Sequence, residues 1–379
     1  MSLTKWSNDL HKLEHTLSPD IVDLINEKND TCVSIIVPTH RTGAERQVDR
    51  VEIQKAVAEV KQLPAVQRAD LLKRLDDLLL QVDYNHNLEG IGLFVSHYSK
   101  KLARFPFPVT RNIRIAPVFD LRDLLYSENY SLPYYLLSLS AKEIKLFRGL
   151  MDHLDEITDH DFPRTILEEY VYNRSAPSSS AAGYAHVKGF EKDKSILSEL
   201  HLRNTFRDTD RLLTKYLTRK GVPLFLCGAE KDLAIYKSVT DHADNIIASI
   251  SGNYLATMIH DLEPLAWLQI KSYVDQEKSN LLRSLEEKTG EGSAALGTKD
   301  ILRKLDVTER PTLLVERHHG QDPHGGNDQL TSERSGDNTS AKEDVINEIV
   351  TTVLRRSGNV IVVEKDALKD HEGIALMFH

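Results

Sequence analysis

The sequence predicts a mixed α/β protein built of three domains, and three observations carry that reading. At 379 residues the chain is long enough for two or three separate cores. Short β-branched runs alternate with segments of helical period along its length. The stretch from Ala294 to His379 reads as helix, strand, long polar loop, helix and two strands. Its pieces are ALGTKDILRKLD, PTLLVERHHG, AKEDVINEIVTTVLRRSG, NVIVVEKDAL and GIALMFH.

The first domain covers residues 1–130. CVSIIVPTHR, from Cys32 to Arg41, opens on an apolar run over 32–39 that reads as a central strand. Two helices follow, ERQVDRVEIQKAVAEVKQL and PAVQRADLLKRLDDLLLQV, the second started by Pro64. Leu71, Leu72, Leu75, Leu78, Leu79 and Val82 form its core-facing stripe. IGLFVS, LARFPFPV and RNIRIAPV read as strands.

The second domain covers 131–258. YYLLSLS, EIKLFRG and LDEIT are three short strands joined by tight turns. Asn173 to Gly189 is rich in Ser and Ala and aperiodic, hence an exposed loop. A long helix runs from roughly Ile196 to Arg219, closed by Gly221 and Pro223. PLFLCGA is a buried strand and KDLAIYKSV a short helix. The third domain, 259–379, starts with a long helix near Ile259. It holds the C-terminal series and a mobile loop at 317–341, composed of Gly, Asp, Asn, Ser and His.

Composition excludes several classes. A net charge of −9 argues against a general nucleic-acid coat, because neutralising phosphate needs local excess of Lys and Arg. Two cysteines, Cys32 and Cys227, each in an apolar run, read as reduced core residues and form no disulfide framework or metal motif. Apolar runs such as VPLFLCGA fall far below the roughly 20 residues of a membrane span. The expected location is the cytoplasm, with no membrane and no DNA partner.

The order of the C-terminal pieces resembles the C-terminal domain of the archaeo-eukaryotic class-1 peptide-chain release factors and Pelota. CVSIIVPTHR is similar to the opening strand of the bacterial members of that superfamily. Three strands, a loop, a long helix and a strand resemble the family's middle domain, a ribonuclease H-like fold. The resemblance implies a ribosome partner, through ribosomal RNA or tRNA, and a translational GTPase. It also implies that the middle-domain loop faces the ribosome's catalytic centre.

In class-1 release factors that loop carries Gly-Gly-Gln. Here the stretch from Ser180 to Phe190 is SAAGYAHVKGF, in which Gly183 and Gly189 are separate and no glutamine lies between them. Peptidyl-tRNA hydrolysis by the family's mechanism is therefore not expected, and no catalytic residue, cofactor or metal is assigned. Tyr184, His186, Lys188 and Phe190 remain, a mix that can stack on bases and touch phosphate, or simply be solvated. His319-Gly320-Gln321 falls in the wrong domain. His318, His319 and His324 lack a second anchored ligand pair for zinc. The codon-reading Asn-Ile-Lys-Ser motif does not occur.

The long helix carries Arg203, Arg207, Arg211, Lys215 and Arg219 four apart, on one slowly drifting face. From His186 to Lys220 there are nine Lys and Arg against five Asp and Glu. That face is either an RNA-docking stripe or an ordinary solvated one. His40 and Arg41 end the first strand and are either a basic ribosome contact or a cap for the next helix. Gly292 to Lys299 has the glycine spacing of a phosphate loop, but ends Thr-Lys and follows a helix.

The leading expectation is a noncatalytic, translation-associated factor that mimics tRNA in the ribosomal A site during rescue, hibernation or stress. One alternative is an RNA or aminoacyl/peptidyl-ester hydrolase using Asp208, Asp210 and His186. Another is a protein–protein adaptor.

Overall fold

The computed structural model describes residues 19–27, 31–41, 46–84, 87–166, 183–217, 221–255, 257–306, 308–317 and 338–378. For residues 20, 46, 183–195 and 338–342 this description is of the backbone alone. The chain gathers into two compact units, one of residues 1–131 with 274–379 and one of 132–273. Among the described residues three sheets occur, one in each third of the sequence. The first and third sheets belong to the same unit, whereas sequence analysis divides the chain in three at 130 and 258.

The first segment holds helix α1 (Pro19–Asn26), strand β1 (Cys32–Pro38), helices α2 (Arg46–Lys61) and α3 (Ala69–Gln81), strands β2 (Gly90–Val95), β3 (Lys100–Phe105) and β4 (Asn112–Ala116), and helix α4 (Arg122–Asn129). The sheet order is β3-β2-β1-β4, with every neighbouring pair antiparallel. β1 is central and buried from Cys32 to Val37, which fits a run whose one polar residue is Ser34. Val33, Ile35 and Val37 pack with Ile53, Val57 and Val60 of α2 and Leu71, Leu75 and Leu78 of α3. On the other face, Ser34 Oγ accepts the Asp120 amide at 3.0 Å. Pro64 opens a short 3₁₀ turn, Pro64–Val66, and α3 begins later, at Ala69.

The second unit holds strands β5 (Pro133–Leu139), β6 (Glu143–Leu150), β7 (His153–Glu156) and β8 (Arg164–Thr165), helix α5 (Gly183–Leu213), strand β9 (Leu224–Gly228), helix α6 (Glu230–Lys237) and strand β10 (Ile246–Ser251). It also takes the first part of helix α7 (Ile259–Gly290). The path is β10-β9-β5-β6-β7, with β8 on β6. β5, β9 and β10 are parallel, while β6 and β7 continue antiparallel from β5. Counted within the unit, this is the 3-2-1-4-5 order of a ribonuclease H-like sheet. Its core joins Leu137, Leu139, Leu146, Phe206, Leu213, Leu226 and Tyr236.

Two sequence expectations change here. The long helix starts at Gly183 instead of Ile196, so residues 183–189 are helical and not loop. β10 was not anticipated, since its alternating Ala and Ser in IIASIS weaken the strand signal of an only half-buried edge.

The remainder of unit 1 is the end of α7, strand β11 (Ala294–Leu296), helix α8 (Gly297–Leu305), strand β12 (Thr312–Glu316), helix α9 (Asn338–Arg355) and strands β13 (Asn359–Val363) and β14 (Ile374–Met377). The order is β11-β14-β12-β13, with β12 and β13 parallel and the other pairs antiparallel. Helix α9 begins at Asn338, so the expected loop gives up its last residues to a helix; residues 318–337 lie outside the described set. At the phosphate-loop look-alike, the Thr298 amide and hydroxyl donate to Glu372 at 3.2 and 3.0 Å. A carboxylate of the chain itself thus occupies the start of α8.

Polar contacts stitch the first and third segments into one unit. Arg122, 2 % exposed, meets fully buried Asp120 at 3.5 Å and pairs with Glu343 of α9. Arg114 donates to Asp344 at 3.0 Å, and Arg317 to Asp123 at 2.8 Å. Tyr126 donates to Glu364 at 2.7 Å and Tyr130 to Asp275 at 2.6 Å. The Lys278 ammonium lies 4.2 and 4.5 Å from the ring centres of those two tyrosines. Burial pulls the Lys278 amine down to about 8, against the attraction of Glu364 and Asp275. Among the described residues no helix is long and apolar enough to cross a membrane.

Candidate functional site

The basic helix of the second unit offers less free charge than its sequence suggests. Arg203 donates from Nε and Nη2 to Glu199 at 3.3 and 3.1 Å, and from Nη1 to Ser238 Oγ at 3.0 Å. Arg211 pairs with Asp208 at 3.3 Å, and Lys215 pairs with Asp161. Arg207 is exposed. Lys215 lies in the turn just past the end of α5. Arg219 falls outside the described residues. Phe206 and Leu213 are fully buried, so the helix keeps its apolar side on the sheet and its cations on the outer side.

Tyr184, His186, Lys188 and Phe190 have helical backbone in the opening turns of α5, and their side chains lie outside the described set. On a helix these four positions do not share a face. Residues two apart are rotated by about 200°, so Tyr184 and Lys188 fall on one side and His186 and Phe190 on the other.

Asp210 is 1 % exposed and accepts from Tyr236 OH at 2.7 Å, Thr240 Oγ1 at 2.6 Å and the Asp241 amide at 2.8 Å. His242 Nδ1 lies 3.1 Å from it. Burial acts to raise the Asp210 pKa, but the Thr240, Tyr236 and Asp241 donors outweigh it and the pKa falls below the ordinary carboxylate value. This carboxylate anchors the turn after α6. Asp208 is exposed and paired with Arg211, so the two acids do not converge. Among the described residues no group of three or more His, Cys, Asp or Glu could hold a metal ion. His318, His319 and His324 lie outside that set. Cys32 and Cys227 are buried and not in a disulfide, and burial pushes Cys227 up to about 11.

The end of β1 carries a more ordered arrangement. Thr39 is tied to the 88–89 backbone by its amide and hydroxyl, at 3.2 and 2.9 Å. The His40 amide donates to Asp49 Oδ2 at 2.9 Å, and His40 Nδ1 lies 2.7 Å from Asp49 Oδ1. Asn87 Nδ2 adds a third donor to Asp49 at 3.2 Å. Arg41 is held by Glu89 at 3.2 Å and by the Pro106 carbonyl at 3.1 Å. His40 and Arg41 do not stand at the carboxyl edge of a parallel sheet, because β1 has antiparallel neighbours on both sides. What orders His40 is Asp49, which sequence reasoning missed. The signal was available: Asp49 precedes Ile53 by four, placing a carboxylate on the core-facing stripe of α2.

Residues 133–306 match the family model described as Bacterial archaeo-eukaryotic release factor family 3. The matched segment takes in the whole ribonuclease H-like sheet of the second unit and runs on through α7 and α8. The chain is similar to archaeal translation termination factor aRF1, at 12 % identity over 95 % of this chain and 96 % of that one, with a TM-score of 0.23. It is similar to Archaeoglobus fulgidus Pelota, at 12 % identity over 76 % and 78 %, with a TM-score of 0.34. Similarity to S. cerevisiae Dom34, described as a translation termination-like factor interacting with Hbs1, is 10 % over 76 % and 72 %, with a TM-score of 0.37. No curated protein matches the chain by sequence.

Proposed function

We propose that this chain is a noncatalytic translation-associated factor that binds the ribosome in place of A-site tRNA, in rescue, hibernation or stress. The family match over 133–306 carries the reading, taken with the absence of Gly-Gly-Gln from the sequence. On this reading α5 and the turn after it present Arg203, Arg207, Arg211 and Lys215 to an RNA backbone. The helical start bearing Tyr184, His186, Lys188 and Phe190 points toward the peptidyl-transferase centre. Mechanism is then occupancy and charge: the chain fills the site in place of tRNA without cleaving an ester. A translational GTPase is the proposed delivering partner. Sedimentation with 70S ribosomes through sucrose tests this, using particles from growing and from starved cells. Co-sedimentation that weakens steeply with salt is the expected result. A chain that stays at the top of the gradient with both kinds of particle would refute it.

A further inference from the structure

We propose that His40 is a phosphate-contacting residue for an RNA strand, and that Asp49 is the residue that positions it. This rests on the ribosome reading and names the chemistry of one contact within it.

A carboxylate at 1 % exposure is costly to bury unless its oxygens are well supplied with donors. Asp49 receives the His40 amide, the His40 ring and the Asn87 amide. Because an ionised carboxylate only accepts, the ring nitrogen facing it, Nδ1, carries a proton. Nε2 is then the nitrogen on the opposite side of a ring whose side chain is 47 % exposed. Once the ring takes up a second proton, Asp49 compensates its charge and Nε2–H is a donor to an anion.

Other histidine–carboxylate pairs differ in one of these respects. His97 faces Asp70, and His153 faces Glu263, with carboxylates 34 % and 23 % exposed. His242 faces a buried Asp210, but its own side chain is only 16 % exposed. Among the described residues, His40 alone combines a carboxylate this buried with a half-exposed imidazole.

The surroundings suit a nucleic-acid backbone. Arg41 follows directly and has its guanidinium oriented by Glu89 and Pro106. Arg50, next to Asp49 on α2, is exposed and lies 5.5 Å from the centre of the Tyr84 ring. Of the nearby acids, Asp49 is buried, Glu89 is paired with Arg41, and Glu52 is half-buried on α2. The cations Arg41 and Arg50 suit a polyanionic strand, and on the ribosome reading that strand is RNA.

The test uses the full chain and a fluorescein-labelled single-stranded RNA dodecamer, read by anisotropy at low salt. His40→Ala should weaken binding about tenfold, the worth of one charge-assisted hydrogen bond, and His40→Gln, which keeps a donor, should recover part of it. Inorganic phosphate should move the His40 imidazole resonances in long-range ¹H–¹⁵N spectra, and less so in Asp49→Asn. His40→Ala carries the test, since Asp49→Asn also removes charge from a buried anchor. Affinity within about twofold of wild type for His40→Ala, a smaller change than an exposed ion pair contributes, overturns the proposal. So does an imidazole unmoved by phosphate, or equal, His40-dependent binding of a polyglutamate peptide. A His40→Ala defect on vacant ribosomes assigns the strand to ribosomal RNA, and a defect confined to programmed ribosomes assigns it to messenger. Oligonucleotide binding that depends on His40, with no ribosome binding at all, would sink the ribosome reading and leave the phosphate contact standing.

Discussion

Replacing Lys278 with Met tests the buried network of unit 1 with a signed expectation. Lys278 is 4 % exposed, its ammonium set between the Tyr126 and Tyr130 rings, with Tyr130 OH at 3.2 Å and Glu364 at 3.7 Å. Two effects oppose each other. The rings and the acids attract the ammonium, each cation–π contact contributing about 1–2 kcal/mol when desolvated. Burial costs more, because the amine falls to about 8 from its ordinary 10.5. A lysine whose folded pKa lies below its unfolded one sheds its proton on folding at intermediate pH. The unfolded chain then binds more protons between about pH 8 and 10.5, so stability rises with pH across that window. The full span corresponds to at most about 3 kcal/mol, with solvent relaxation lowering it. Tyr126 and Tyr130 act in the opposite direction at higher pH. Burial, first of all, raises both above 10, so their contribution is lost as the solution passes their folded values. Asp275, Glu364, Arg317 and Asp123 face the same network.

The measurement is denaturant unfolding followed by far-ultraviolet circular dichroism, at several pH values from about 7 to 9.5, below the ordinary tyrosine pKa. Wild type should gain stability up this series. The Met variant, similar in volume and without a titrating group, should stay flat and be at least as stable as wild type near neutrality. Parallel curves for the two proteins would refute the claim that the ammonium is held against its preference.

Arg122→Ala leaves Asp120 buried beside an absent partner and should destabilise unit 1 by about 3–5 kcal/mol, read as a lowered unfolding midpoint; a loss under about 1 kcal/mol contradicts the buried pairing. Asp210→Ala strands the Tyr236, Thr240 and Asp241 donors and should cost about 2–4 kcal/mol in thermal unfolding of unit 2, whereas unchanged melting would mean the turn holds itself. Changing Arg203, Arg207 and Arg211 together to Glu should weaken ribosome co-sedimentation and flatten its salt dependence, with circular dichroism confirming the fold. Unaltered binding would remove α5 from the interface.

The elements legible in the sequence are those where one physical signal dominates. CVSIIV is apolar on both faces because β1 is covered on both faces, and Leu71, Leu75 and Leu78 keep helical period because α3 lies on a sheet. The opening of α5 was hidden because GYAHVKGFEKDK has two glycines and no clean stripe, so propensity and period both argue against a helix that nonetheless forms. The pairing of β12 with β14 before β13 in one sheet is not a local property and no window of sequence reports it. At the candidate site, His40 and Arg41 were visible as residue types. The carboxylate that organises them could be found only by treating Asp49 as an intruder on an apolar stripe.

The pairing of Arg114 with Asp344 closes a separation of 230 residues, and the Arg122 partner Glu343 lies 221 residues away. During synthesis the leading sheet therefore emerges with Arg114 lacking Asp344 and with Arg122 facing Asp120 but lacking Glu343. Non-local closure of this kind is slow. Until the last helix and strands leave the ribosome, that early half stays in a provisional state, its arginines hydrated and its aromatic surface uncovered. A nascent chain halted midway should thus be a client for chaperones, and completion of its own tail is the event that releases it.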